Sequence, residues 1–186
     1  IHHYVTYEIW TPFIFYQGQG VTPEHVYELY DVDDLRKSLF FWDLPDGRHS
    51  FKGTYEGNGI PFSGIATDEI YLIRAECNAR LGNIDDSMKD INTLLVNRYA
   101  TGTHVDVSAA TSEDALNIVL LERRKELLFR GQRWNDLKRF NRDGMNIEIV
   151  RTINGVHYKL LPNDIRYVMP IPKYVIDASD LKTNNR

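Results

Sequence analysis

Between residues 67 and 144 apolar side chains recur at helical spacing, and glycines at 82, 102, 131 and 144 cut the pattern into short segments. A stretch of this kind folds as helix pairs joined by tight turns, because neighbouring helices with short links pack antiparallel. The spacing predicts a first helix over about 69–81, capped by Asp68, with Ile70, Ile73, Cys77 and Leu81 on its buried face and Ala75 and Ala79 beside them. On that stripe Cys77 is expected to be a buried, inert thiol. Gly82-Asn83 supplies a left-handed stop, and a second helix starts near Asp85 with Met88, Ile91, Leu94 and Leu95 in one line. Thr111 and Asp114 form a capping box for a longer helix reaching Phe129, in which Ile118, Leu121, Lys125 and Leu128 align beside Val119 and Leu127. After Gly131 a further helix covers about 133–141 and stops at Gly144. The two pairs begin about 43 residues apart, more than the roughly 34 of a tetratricopeptide repeat, so any repeat is degenerate.

The flanks differ from this body. Residues 1–66 hold 14 of the 22 aromatics and 4 Lys/Arg against 9 Asp/Glu, whereas the remainder carries 18 against 17. Glycines and prolines break that first third into turns, and only 24–42 keeps helical periodicity. Near the other end, β-like runs at 147–153 and 156–161 flank Asn154-Gly155, a strong hairpin signal, and Pro170-Ile171-Pro172 enforces an extended path. The expected organisation is an irregular aromatic-rich segment at 1–66, a helical-hairpin scaffold at 67–142 and an extended or hairpin segment at 143–186. This is a mainly α fold with a loop-rich aromatic subdomain and a short β-hairpin. A net charge of only −4 argues against a surface built for nucleic acid, and no apolar run approaches the roughly 18 residues of a membrane span. One cysteine excludes an intrachain disulfide framework.

Several motifs then occur in a fixed order. They are Asp68-Glu69-Ile70-Tyr71-Leu72-Ile73-Arg74-Ala75-Glu76, Glu122-Arg123-Arg124-Lys125-Glu126-Leu127, Gly131-Gln132-Arg133-Trp134-Asn135-Asp136-Leu137-Lys138-Arg139, and a segment over 161–172 ending in Pro170-Ile171-Pro172. With Asp33-Asp34-Leu35-Arg36-Lys37 before them and the chain end at 181–186, this set resembles the SusD/RagB family of nutrient-binding outer-membrane lipoproteins of Bacteroidota. The resemblance implies a tetratricopeptide-like helical scaffold carrying an irregular subdomain. It also implies a C-terminal portion of a longer protein, lipid-anchored upstream of this chain on the extracellular face of the outer membrane. The implied partners are a SusC-like TonB-dependent transporter and an oligosaccharide, or alternatively a peptide. The family often has an acidic residue where this chain has Arg130, which puts the usual ion pair there in question.

The residues themselves favour binding over catalysis. Glu122 and Glu126 lie one helical turn apart with Arg123 between them, and Arg133 and Asp136 repeat the pattern. Carboxylates so placed are held ionised, which suits an ion-pair lattice joining the helices to the C-terminal segment better than acid/base work. The stretch 122–142 holds eight Lys/Arg against three Asp/Glu, but few aromatics interleave, so a solvated, internally paired helix pair is favoured over a nucleic-acid site. Asp31, Asp33 and Asp34 lack the glycine and the terminal Glu of a calcium loop and suit a charged helix start. The six histidines show no ligand spacing, so neither a metal nor another cofactor is expected. Sugars present apolar C–H faces and hydroxyl rims, chemistry that flat rings and polar side chains match. Most rings of 1–66 are expected in a core, and those beside glycines and polar residues are the binding candidates: Trp10, Tyr16, Trp42 and Tyr55, with Arg48 and Asn58 as hydrogen-bonding partners. The competing reading is a helical scaffold whose partner is a protein alone.

Overall fold

The computed structural model describes residues 21–53 and 64–184. Sequence-predicted positions at Trp10, Tyr16, Tyr55 and Asn58 lie outside the described residues. Chain contacts divide the protein after Gly131 into two compact units.

In the first unit, β1 (Val21–Thr22), α1 (Glu24–Tyr27), α2 (Leu35–Phe40), β2 (Phe41–Asp43) and β3 (His49–Phe51) follow in order. The helical periodicity over 24–42 thus resolves into two short helices and a strand. Asp34 explains the break: its backbone is extended, and its side chain accepts a hydrogen bond from the Arg36 N–H, which starts a new helix. The strands form an antiparallel sheet in the order β1-β3-β2, with Trp42 opposite Ser50 and Asp43 opposite His49. Tyr30, Phe40, Phe41 and Phe51 are buried together as an aromatic core, with ring centroids 5.2–6.4 Å apart in edge-to-face pairs. Phe129 stacks on Phe51 at 4.4 Å and joins this core to the end of a later helix.

The helical body of this unit consists of α3 (Thr67–Leu81), α4 (Ile84–Leu95) and α5 (Ser112–Glu126). Gly82, at φ +84°, closes α3 in the left-handed region that glycine adopts without strain. Ser87 Oγ donates to the Ala75 carbonyl and Arg74 pairs with Asp90, the antiparallel pattern expected of so short a link. Met88, Ile91, Leu94 and Leu95 are buried as the spacing predicts. Thr111 and Asp114 form the expected capping box of α5.

The buried face of α3 is not the predicted one. Leu72, Ala75 and Ala79 are buried, whereas Ile70, Ile73 and Leu81 are 49%, 45% and 76% exposed. Cys77 is exposed as well, which corrects its assignment to the core. The small side chains let α4 and α5 approach α3 closely, so the alanine face wins the packed position over the bulkier isoleucines. Asp68 likewise is not the cap: α3 starts at Thr67, and Asp68 is buried within its first turn. On α5, Leu121 is exposed while Lys125 is buried, because that face meets charged rather than apolar neighbours.

Those neighbours form one buried network. Arg36 donates through Nε to Asp34 Oδ1 at 2.9 Å, through Nη2 to Asp34 Oδ2 and Glu122 Oε2 at 2.8 Å each, and through Nη1 to Glu126 Oε2 at 2.8 Å. Lys125 Nζ lies 3.0 Å from Asp34 and 2.9 Å from Glu122, and Arg98 donates to Glu126 at 2.7 Å. Three cations thus face three carboxylates. Tyr30 Oη donates to the Lys125 carbonyl at 2.8 Å, so the aromatic core is tied to the same helix turn. Glu122 and Glu126 are thus ion-paired to α2 and to the chain after α4. Arg123 is buried on the same helix. Arg130 pairs with Asp68 at 3.4 Å and Glu69 at 3.3 Å.

In the second unit, α6 (Arg133–Arg142) begins at Arg133 and buries Asp136, Leu137, Phe140 and Asn141. Asp136 accepts from Arg139 at 2.9 Å. Trp134 donates to the Tyr167 carbonyl at 3.2 Å and packs on its ring at 4.8 Å, which fastens the tryptophan motif to the segment ahead of Pro170. The strands β4 (Ile149–Ile153) and β5 (Val156–Leu160) pair around Asn154 and Gly155, both at positive φ as a two-residue hairpin turn demands. A 3₁₀ turn at Ile165–Tyr167 and a last helix, α7 (Lys173–Asp177), complete the described chain.

Removing Arg36 leaves buried carboxylates without their main donor. Arg36→Met is expected to lower the unfolding free energy by about 3–5 kcal/mol, read as a fall in the urea midpoint. Burial alone raises the Asp34 carboxyl, yet hydrogen bonds and charge from Arg36 and Lys125 hold it below its ordinary value of 3.8. Its stabilising contribution is therefore complete above pH 3.8 and is lost as pH falls through the lower folded value. Asp34→Asn is expected to flatten the acid limb of the stability profile in that window, measured by urea unfolding at a series of pH values. Native protein is expected to react through Cys77 with a water-soluble thiol reagent without denaturant, since the side chain is exposed.

Candidate functional site

Among the described residues, the junction of α2 and β2 creates a surface suited to a flat ligand. Helix α2 runs directly into β2, and strand alternation then turns Phe41 into the core at 4% exposure and Trp42 outward at 47%. The pairing of β2 with β3 continues through Lys52 N–H to the Phe40 carbonyl at 2.7 Å, which brings Lys52 back beside α2. A groove of about 580 Å³ opens there, bordered by Tyr27, Lys37, Trp42, Asp43 and Lys52, with Val32, Ser38 and Phe41 completing its lining.

Each polar group in the groove is held from behind. Lys37 Nζ donates to the Tyr30 carbonyl at 2.8 Å and sits 4.6 Å above the Tyr27 ring. Lys52 Nζ donates to the Ser38 carbonyl, and the Ser38 hydroxyl donates to Leu35 O at 3.1 Å. Asp43 Oδ1 lies 3.0 Å from His49 Nδ1, and the His49 ring stacks on Tyr27 at 3.4 Å. Burial, aided by the Asp43 and Glu24 carboxylates, keeps the Tyr27 phenol above its ordinary pKa, so it stays a neutral hydroxyl. An exposed indole face surrounded by fixed donors and acceptors can stack on a ring and hydrogen-bond its rim.

Of the sequence-predicted binding residues, Trp42 lies in this groove. Arg48 lies in the turn between β2 and β3, where it donates to Asp46 at 2.8 Å, and it does not line the groove. Tyr27, Lys37, Asp43 and Lys52 were not predicted. They come from four different elements or turns, and no single spacing in the sequence unites them. A second concavity of about 540 Å³ runs along α4 beside Asp85, Lys89, Asn92 and Asp106, but it has no aromatic ring to stack on. Among the described residues no group of three or more His, Cys, Asp or Glu is placed to hold a metal ion.

Residues 52–185 match the SusD family. Among solved structures, a SusD-like carbohydrate binding protein from Bacteroides vulgatus is similar over 84% of this chain and 40% of its own, with 22% identity and a TM-score of 0.52. A SusD-like protein from Bacteroides fragilis is similar over 76% of this chain and 32% of its own, with 24% identity and a TM-score of 0.48. The chain therefore spans less than half the length of either. No curated protein matches it significantly.

Trp42 and Trp134 differ in what surrounds them, and acrylamide distinguishes them. Trp42→Phe is expected to remove most of the readily quenched fluorescence that these two indoles contribute, while Trp134→Phe leaves it in place, because the Trp134 indole is engaged with Tyr167.

Proposed function

Because the chain belongs to the SusD family, we propose that it captures an oligosaccharide at the cell surface without chemical conversion and serves import through a SusC-like TonB-dependent transporter. In this reading the protein is held on the extracellular face of the outer membrane by a lipid anchor on a longer chain. The observation that carries the binding role is the exposed Trp42 face over a groove lined by Lys37, Asp43 and Lys52. Stacking against sugar C–H faces and hydrogen bonds to hydroxyls need geometry and no bond-breaking step, and this groove supplies both. The similarity to a solved protein described as SusD-like and carbohydrate binding supports the same ligand class.

Isothermal titration of the full-length protein against a panel of oligosaccharides tests the reading. Binding is expected, and Trp42→Ala is expected to weaken it about tenfold through loss of the stacking face. Absence of binding to every saccharide, or affinity indifferent to Trp42, contradicts it.

A further inference from the structure

The charges in the groove are not balanced. Arg36, Arg48, Arg74, Arg98 and Lys125 of the same unit each face a carboxylate within ion-pair distance. Among the described residues Lys37 and Lys52 face none: the bonds that fix their ammonium groups go to the backbone carbonyls of Tyr30 and Ser38. A carbonyl anchors an ammonium without cancelling its charge, and each ammonium has three N–H donors, of which this bond uses one. Among the described residues the one carboxylate lining the groove, Asp43, is engaged by His49 on the neighbouring strand. Residues 1–66 hold only 4 Lys/Arg against 9 Asp/Glu, and two of those four cations line this single groove. Placing two uncompensated cations in one concavity costs mutual repulsion, which an anion relieves.

We propose that the groove takes an acidic saccharide, with a sugar ring on Trp42 and its carboxylate or sulfate group held by Lys37 and Lys52. This rests on the reading of the groove as a glycan site and adds the charge of the glycan. Asp43 supplies the orientation, since it accepts hydrogen bonds from sugar hydroxyls and repels the anionic end toward the lysines. The indole supplies what a bare anion does not use. The site therefore discriminates against neutral sugars by charge and against acidic peptides by the stacked ring.

Titration calorimetry on the full-length protein, at low ionic strength and at 0.3 M NaCl (~6 Å screening length), tests the assignment with four probes. These are a galacturonic acid hexamer, a chondroitin sulfate hexasaccharide, neutral maltohexaose and hexaglutamate. At low salt an acidic saccharide is expected to bind about tenfold tighter than maltohexaose, with the gap shrinking at high salt. Lys37→Gln and Lys52→Gln are each expected to remove most of that preference, Lys52→Arg to retain it, and Trp42→Ala to weaken every saccharide. Unchanged circular dichroism and urea midpoints confirm that the variants are folded. Equal or tighter binding of maltohexaose overturns the acidic assignment and leaves glycan capture standing. Hexaglutamate binding as tightly as the acidic sugars and indifferent to Trp42→Ala overturns it in favour of a peptide. Binding of no saccharide at all removes the glycan reading together with it.

Discussion

The buried guanidinium of Arg36 is the interaction on which the arrangement of the first unit depends. An uncompensated charge in that position is costly, and Asp34, Glu122 and Glu126 compensate it from its own helix start and from α5. Lys125 and Arg98 then balance the surplus carboxylates. Because each charge needs the others, α2 has one place to sit against α5. Three of the groove's lining residues depend on α2: β2 leaves its last turn with Asp43, Trp42 alternates outward, and Lys52 returns beside it at the end of β3. A hydrophobic contact of similar area tolerates sliding, whereas a network of directional bonds fixes register.

That constraint also explains how a segment dense in aromatics avoids collapse into an undirected cluster. Tyr30, Phe40, Phe41 and Phe51 fill one side of the short sheet, and the Tyr30 hydroxyl bonds the backbone of α5 beside the ion network. The rings supply burial and the charges supply position. With the core rings committed inward, Trp42 is left on the surface, and its exposure is a consequence of strand alternation rather than a failure of packing.

Much of the architecture was legible in the sequence because its signals are local. The capping box at Thr111, the stop at Gly82 and the turn at Asn154-Gly155 depend on residues a few positions apart, and the structure forms all of them. The inward face of α3 was not legible. Its two candidate stripes differ in bulk, and only the closeness of α4 and α5 selects the alanines over Ile70 and Ile73. The partners of Glu122 and Glu126 were missed for a related reason, since Arg36 lies 86 and 90 residues away. In the groove, Trp42 carried a signal as a ring among polar residues, but Lys37 and Lys52 resemble any surface lysines until the fold brings them to one concavity. The family motifs mark the scaffold, and the groove lies largely outside them.

The central claim is that the ion-locked α2–β2 junction presents Trp42 as the ring on which a saccharide stacks. Two-dimensional NMR of the indole N–H groups in tryptophan-labelled full-length protein, titrated with a binding oligosaccharide, tests it most directly. The account predicts that the Trp42 resonance shifts on saturation while that of Trp134, bonded to Tyr167, stays in place. Saturable binding that leaves the Trp42 resonance unmoved contradicts it.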